Sequence, residues 1–455
     1  MDTTEAKALV GDDLLVKFNA ERTKLDMLDR WWRWEHDEPH TPKKTPSAEY
    51  RELMGRAQTP WLGLVVTGVA QALYVEGYRA AGSSDNATPW EWWQRNGMDR
   101  RQIPIHRTAL AYGISYATVL PGKDTLGSAM PVIRGVSPRN MMAFYRDPAE
   151  DDWPEYAIKV TAGPKDTKKI RLFTATEAID LEETAEGGLS VVATFEHGVG
   201  VCPVVRYCNQ LDLEGRTPGE VEPYIPVAAR ADQTVFDRLV VQRFSSFRVR
   251  TIAGLTLPDN ASAVDREKMR LSVEDILVAE DHDTKFGSLA PTELKGFVEA
   301  READLRDLAA VAQVPPNHLL GQMANLSAEA LAAAEASLSR KVEERKHSFG
   351  QSHEQTLRLA GRVSGDTALA ADWSAQVRWR DMESRSLAQA ADALGKLATM
   401  LKVPVEMLWE KVPGWTDQDV ERAKALVEQG GALDSLIREL EDGLTVPEDE
   451  PVGVN

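Results

Sequence analysis

Cysteine is nearly absent: Cys202 and Cys208 are the two in 455 residues. Neither their number nor their spacing supports a zinc site or a disulfide framework, and a reducing compartment is the natural reading. Positive charge is also short. Lys and Arg total 53 against 71 Asp and Glu, a net charge of −18. So acidic a chain is a poor wrapper of nucleic acid, because neutralising phosphates needs a cationic contact face. Long apolar runs are missing too. The most membrane-like stretch, residues 61–74, is interrupted by Gln71, ended by Glu76 and too short to span comfortably, so no membrane partner is expected. The first residues, Met1-Asp2-Thr3-Thr4-Glu5, are acidic and lack the apolar centre of a signal peptide.

Catalytic signatures are equally thin. There is no phosphate-binding glycine loop, hence no ATP motor in this chain, and no Gly-x-Ser-x-Gly elbow. His106 with Ser115, or His197 with Cys202, can be drawn as pairs, but spacing alone makes neither a nucleophile nor a base. A structural histidine is the simpler reading of each. His36-Asp37-Glu38-Pro39-His40 contains ligand types, yet they flank a proline in a loop instead of sharing one helical face. Asp151-Asp152 and Glu182-Glu183 read as solvated turn residues. The expectation is a non-enzyme with no metal and no cofactor.

What is present is a long-range pattern between residues 224 and 327. In residues 227–247 apolar side chains recur at Ala228, Ala231, Val235, Leu239, Val240, Phe244 and Phe247, one stripe of a helix. Residues 292–312 repeat this with Leu294, Phe297, Val298, Leu305, Leu308 and Ala312, and put Glu299, Glu302, Asp304 and Asp307 on other faces. Between them, residues 248–252 and 276–279 look like short strands with a turn at Pro258-Asp259-Asn260. Pro315-Pro316 is expected to stop the second helix. A loop from Asn317 to Asn325 follows, and Ser327 is expected to cap the next helix. A helical hairpin with a β insertion is the plain reading of this stretch alone.

Elsewhere the chain reads as α+β. Residues 6–34 form an amphipathic helix, 61–75 a second, and 90–96 and 105–113 two more. From Ser115 the texture turns to strand: residues 116–120, 132–136, 141–145, 156–161, 170–174, 189–195 and 204–207, an antiparallel meander. Residues 327–362 are one long helix. Its mixed-sign run, Arg340 to Lys346, reads as a solvated or intersubunit face. Helices follow at 384–400, 404–410 and 417–429, then an acidic tail at 441–455 with the composition of a disordered segment. The 12 Trp, many near loops and helix ends, suit subunit contacts as well as a core.

Taken in order, several segments resemble the portal proteins of long-tailed double-stranded DNA bacteriophages. They are Leu64-Val65-Val66 with Leu73-Tyr74-Val75-Glu76-Gly77-Tyr78-Arg79, and Trp93-Gln94-Arg95-Asn96-Gly97-Met98-Asp99 followed by His106, Ala109-Leu110, Gly113 and Ser115-Tyr116. Pro203-Val204-Val205-Arg206-Tyr207 with Asn209 leads through Gly219-Glu220-Val221-Glu222 into the first helix of the pattern. Residues 384–397 are similar to the family's C-terminal part. Tyr78 stands where Phe is expected, and Arg230 where an acid or amide is common.

The resemblance implies an elongated subunit with a β-rich wing (1–226), a first stem helix (227–247), a small α/β clip (248–290) and a second stem helix (291–313). A tunnel loop (314–326), a long helix with C-terminal wing (327–381), a helical crown (382–440) and a tail (441–455) complete it. It further implies a homo-oligomeric ring, typically of twelve, at one capsid vertex of the virion, assembled in the host cytoplasm. Double-stranded DNA would pass through it in packaging, be retained, and be ejected. Partners would be the terminase large subunit, the head–tail adaptor, and the major capsid and scaffolding proteins. The tunnel loop would be Asn317, His318, Leu319, Leu320, Gly321, Gln322, Met323 and Asn325. Clip docking would fall to Arg248, Arg250, Glu280 and Asp281. The alternatives are a DNA-processing enzyme and a helical scaffold protein of the phage head.

Overall fold

Ala6, Val10, Leu14 and Phe18 recur every four residues, and all four are buried. Four residues overshoot an α-helical turn, so a straight α-helix would rotate this stripe by about 40° per step. The structure keeps the stripe in line by widening the backbone. α1 (Thr3–Ala8) passes into a π-helical segment (Leu9–Leu14) and then α2 (Leu15–Trp32). The single helix expected over 6–34 is therefore an α–π–α rod. This computed structural model describes residues 1–35, 48–79, 87–164, 167–184, 186–245, 250–253, 285–288, 293–321, 328–380, 387–409, 411–412, 415, 419–420 and 422–429.

The rod covers one face of a five-stranded antiparallel meander. Its stripe meets Ile158, Val160, Ile170, Leu172, Ile179 and Leu181. Before the meander come β1 (Val75–Arg79), β2 (Ile114–Lys123) and β3 (Ala129–Val136). The meander is β4 (Met141–Phe144), β5 (Tyr156–Ala162), β6 (Lys168–Phe173), β7 (Glu177–Glu183) and β8 (Leu189–Glu196), in that order. β7 corrects the expectation that Glu182-Glu183 lie in a turn. Its acids disfavour a strand in isolation, but the register supplies cations opposite them. Arg171 grips Asp180 through two bonds of 2.5 and 2.7 Å, and Lys169 lies 3.0 Å from Glu182. A second sheet, β3-β2-β9, is closed by β9 (Val204–Cys208).

The main core gathers around α4 (Trp61–Gln71) and α6 (Met98–Tyr112), with α5 (Ala87–Arg95) beside them, while α3 (Ala48–Ala57) belongs to a smaller separate cluster. The helix expected to reach residue 75 stops at Gln71. Val75–Arg79 instead pairs antiparallel with β12 (Gln376–Trp379), some 300 residues later. α7 (Ile225–Ser245) leads to β10 (Arg250–Ala253), which pairs antiparallel with β11 (Lys285–Ser288); α8 (Lys295–Val311) returns. The strand expected at 276–279 lies outside the described residues. A short α9 (Pro316–Leu320) precedes α10 (Ala328–Ser364), which at 37 residues is about 55 Å long. α10 lies across both the main core and the three-stranded sheet, burying Val342, Phe349, Leu357 and Ala360. α11 (Thr367–Ala370), α12 (Leu387–Met400) and α13 (Val405–Trp409) follow. Residues 422–429 are helical, and the 441–455 tail lies outside the described residues. Among the described residues no helix is long and apolar enough to cross a membrane.

Candidate functional site

The expected stem and tunnel segments meet where α7, α8, α9 and α10 converge. α7 buries Ala228 and Ala231 in the main core, and Val235 and Phe236 against Leu53 and Ala57 of α3. α8 contributes Leu305, Leu308 and Ala309, and its C-cap Ala312 joins them. Asp304, buried between them, is held by Arg230 Nε at 2.5 Å and accepts from Thr234 Oγ1 at 3.3 Å. Arg230 Nη2 also reaches Asp307 at 2.8 Å. Arg230 thus ties one helix to the other.

α8 ends before the two prolines. Gln313 takes a left-handed backbone (φ 55°), Val314 N–H donates to Ala309 O at 3.0 Å and Gln313 N–H to Ala310 O at 3.3 Å, a Schellman closure. Pro315 is extended, and Pro316 opens α9, where its missing N–H costs nothing. The loop expected from Asn317 therefore begins as a helical turn. Gly321 closes it at φ 65°, donating to Asn317 O at 3.0 Å. His318 is exposed, Asn317 and Leu320 are half-buried, and Leu319 is 5% exposed within the main core. Gln322, Met323 and Asn325 lie outside the described residues, as do Arg248, Glu280 and Asp281. Arg250 opens β10 opposite Ser288.

Sequence reasoning missed the polar cluster behind this turn. Lys341 and Arg345, expected on a solvated or intersubunit face from the charge run, are buried at 4% and 1% exposure. Both pair with Glu220, itself 2% exposed: Lys341 Nζ through a short ion pair, and Arg345 Nη2 at 3.2 Å. Lys341 also donates to Ala312 O at 2.9 Å, capping α8. Asn209 and Tyr224 each donate to Glu220 at 3.2 Å. Burial draws the Lys341 ammonium below its usual range, although Glu220 opposes this, and burial followed by Glu220 pushes the Tyr224 phenol up. The usable signal was periodicity: positions 341, 345, 349, 353 and 356 share one helical face, and 349 is a phenylalanine.

The candidate catalytic pairs dissolve. Ser115 donates to Ile105 O and does not meet His106. His106 Nε2 sits 2.8 Å from His353 Nε2, while His353 Nδ1 lies 3.1 Å from the Tyr207 hydroxyl. His197 Nε2 bonds Thr174 O, and Cys202 Sγ lies 3.7 Å from Phe173 O. Burial raises the Cys202 thiol far above the range in which a thiolate forms. Among the described residues no group of His, Cys, Asp and Glu could hold a metal ion; His36–His40 lies outside them.

The arrangement ties α7, α8, α9 and α10 together through apolar packing, ion pairs and caps, and α7 leads into the two-stranded β10–β11 sheet. The family described as Phage portal protein, SPP1 Gp6-like, matches residues 12–430. The chain belongs to that family, a structural and non-enzymatic component of the phage head. It is 28% identical over 416 residues to the portal protein of Mycobacterium phage L5, covering 87% of this chain and 83% of that protein. It is 28% identical over 408 residues to the portal protein of Mycobacterium phage D29, covering 86% and 82%. Phage portal proteins are virion components, so assembly partners in the phage head follow in general terms.

Proposed function

We propose that this chain forms a ring of subunits, twelve in the assembled head, at one capsid vertex, with a central channel for double-stranded DNA. The observation that carries this reading is the family match over residues 12–430. α7 and α8 serve as the two stem helices, residues 248–290 as the clip, and 314–326 as the segment facing the channel. The clip, with Arg248, Arg250, Glu280 and Asp281, docks the terminase large subunit and later the head–tail adaptor. The wing and crown face the major capsid and scaffolding proteins.

Charge supports the role. A channel must surround DNA without gripping it, and every cation facing phosphate adds salt-sensitive affinity that a ring multiplies. At −18 per subunit the expected DNA binding is weak, salt-sensitive and without sequence preference. His318 and Gly321 at the exposed end of α9 add no formal charge at neutral pH. Leu319 and Leu320 anchor this turn.

Negative-stain images of the purified protein test the reading. Rings with a central hole are the expected result. Compact monomers at assembly-level concentration would reject it. Replacing solvent-facing clip residues should leave rings intact and abolish adaptor binding; normal adaptor binding would move the docking surface elsewhere.

A further inference from the structure

The strand order β3-β2-β9 leaves β3 and β9 at opposite edges of the three-stranded sheet. At the β3 edge four cations gather: Arg134 on β3, Arg100 and Arg101 in the first turn of α6, and Lys159 on β5. Arg100 and Arg134 are exposed, and Arg101 and Lys159 half-buried. Burial lowers the proton affinity of Arg101 and of Lys159. Arg134 presses on both, as do Arg100 on the first and Arg171 on the second. None of the four has an ion pair among the described residues, and Arg171, opposite Lys159 in the register, is already taken by Asp180. Elsewhere Arg22, Arg33, Arg95, Arg139 and Arg230 each hold a carboxylate. Four bare cations on so acidic a chain repel one another and cost stability unless an anionic surface covers them.

The β9 edge presents such a surface. Arg206 and Cys208 border a groove of about 590 Å³ between the 149–152 loop and α10. Glu150, Asp151 and Asp152 enter it from the loop, and Glu344 and Glu354 from the helix. Its two cations are engaged: Arg206 donates to Pro148 O and Asp151 O, and Arg358 lies over the Trp373 ring. Trp373, 64% exposed, and Leu211, 41% exposed, supply an apolar rim.

We propose that the basic surface around Arg134 of one subunit seats in the acidic groove beside α10 of the next copy of this chain. The two surfaces are opposite in sign and sit on opposite edges of one sheet. The contact is therefore head-to-tail, the kind that repeats around a ring instead of closing at two. This rests on the ring reading and names the surfaces that would build it.

The test is sedimentation velocity on the full chain with three variants: Arg101→Glu with Arg134→Glu, Glu150→Arg with Asp152→Arg, and all four together. These side chains carry no internal ion pair among the described residues, and circular dichroism should confirm unchanged folding. Each double reversal is expected to raise the subunit–subunit dissociation constant by at least about tenfold, because it sets like charges face to face. The fourfold variant is expected to restore assembly. Rings that persist in both reversals, or no rescue by the combination, would overturn this inference alone. Rings that persist while the arginine variant loses duplex DNA binding would assign the basic surface to phosphate instead. A wild-type chain that stays monomeric would overturn the ring reading and this inference together.

Discussion

Two polar clusters lie on the same face of α10, separated by Phe349. Lys341 and Arg345 meet Glu220 in an ionic cluster, and His353 and Thr356 meet His106 and Tyr207 in a neutral one. The ionic cluster joins three distant segments: the 209–224 connection, the end of α8, and α10. The neutral cluster joins α6, β9 and α10 inside the core. The difference lies in what each tolerates. A buried ion pair adds little net stability, but removing one partner strands a charge. A neutral chain of hydrogen bonds tolerates small losses yet fits only one set of protons.

The hardest way to break the comparison is Glu220→Gln. It leaves Lys341 with Ala312 O and Arg345 with Glu344, whose side chain is 67% exposed. The expected cost is about 3–5 kcal/mol in urea unfolding. Replacing Glu220, Lys341 and Arg345 together by Leu, Met and Met should cost less than the single change, because no buried charge remains. A single change costing under ~1 kcal/mol would mean that water reaches the cluster.

The neutral cluster is broken by protons. The Leu73 carbonyl can only accept, so His106 Nδ1, 3.3 Å away, carries hydrogen and its Nε2 must accept. His353 Nε2 then donates across the 2.8 Å contact, and its Nδ1 accepts from Tyr207. One further proton on His106 sets two N–H groups against each other. Burial depresses His106 to about 4 from 6.5, and depresses His353 well below 6.5. Between those values the unfolded chain binds more protons than the folded one. The contribution is thus complete above pH 6.5 and lost as pH falls towards about 4. At about 1.4 kcal/mol per unit this amounts to about 3 kcal/mol. Urea midpoints measured from pH 7.5 to 4 should show the loss, and His353→Gln should flatten it.

How much of this was legible divides along the same line. The helices α7 and α8 and most strands of the meander were readable because their information is local and periodic, although Val298 of the expected α8 stripe is exposed and Asp304, expected on another face, is buried. β7 was not, since its acids become acceptable only opposite Arg171 and Lys169. β1 was not legible as a strand, and its first residue, Val75, read as the end of a helix, because its partner β12 is some 300 residues away. Lys341 and Arg345 read as part of a solvated or intersubunit face because burial of a charge depends on a carboxylate 121 and 125 residues distant. Pro315-Pro316 drew attention from the real stop at Gln313, where a non-glycine residue takes the left-handed turn. In the candidate tunnel segment the helical turn of α9, where a loop was expected from Asn317, was not readable.

Leu319 sharpens the comparison by removing apolar volume near the ionic cluster without touching a charge. Leu319→Ala should cost at least about 2 kcal/mol, as a buried leucine truncated to a cavity does. Leu320→Ala, half-buried, should cost less. If α9 only anchors the segment beyond it, DNA retention in filled heads should follow the Leu319 loss and change little in His318→Ala. Retention unchanged in Leu319→Ala, with the lost stability confirmed, would separate α9 from the channel.

The smallest effect separates burial from geometry. Arg230 and Asp304 are as close as a bridge allows, at 2.5 Å, but the Arg230 side chain is 52% exposed. Arg230→Ala should therefore cost only about 1 kcal/mol, since solvent screens the pair and Thr234 still donates to Asp304. Arg230→Lys should recover part of that, keeping the charge but losing the fork that also reaches Asp307. A double-mutant cycle with Asp304→Asn isolates the pair, and salt separates it from the ionic cluster. At 1 M ionic strength screening acts within about 3 Å, so the Arg230 coupling should shrink while the cost of Glu220→Gln holds. If both costs fall together with salt, the cluster on α10 is as wet as the bridge between α7 and α8. If neither falls, the two helices exclude water along Arg230 more completely than its exposure implies.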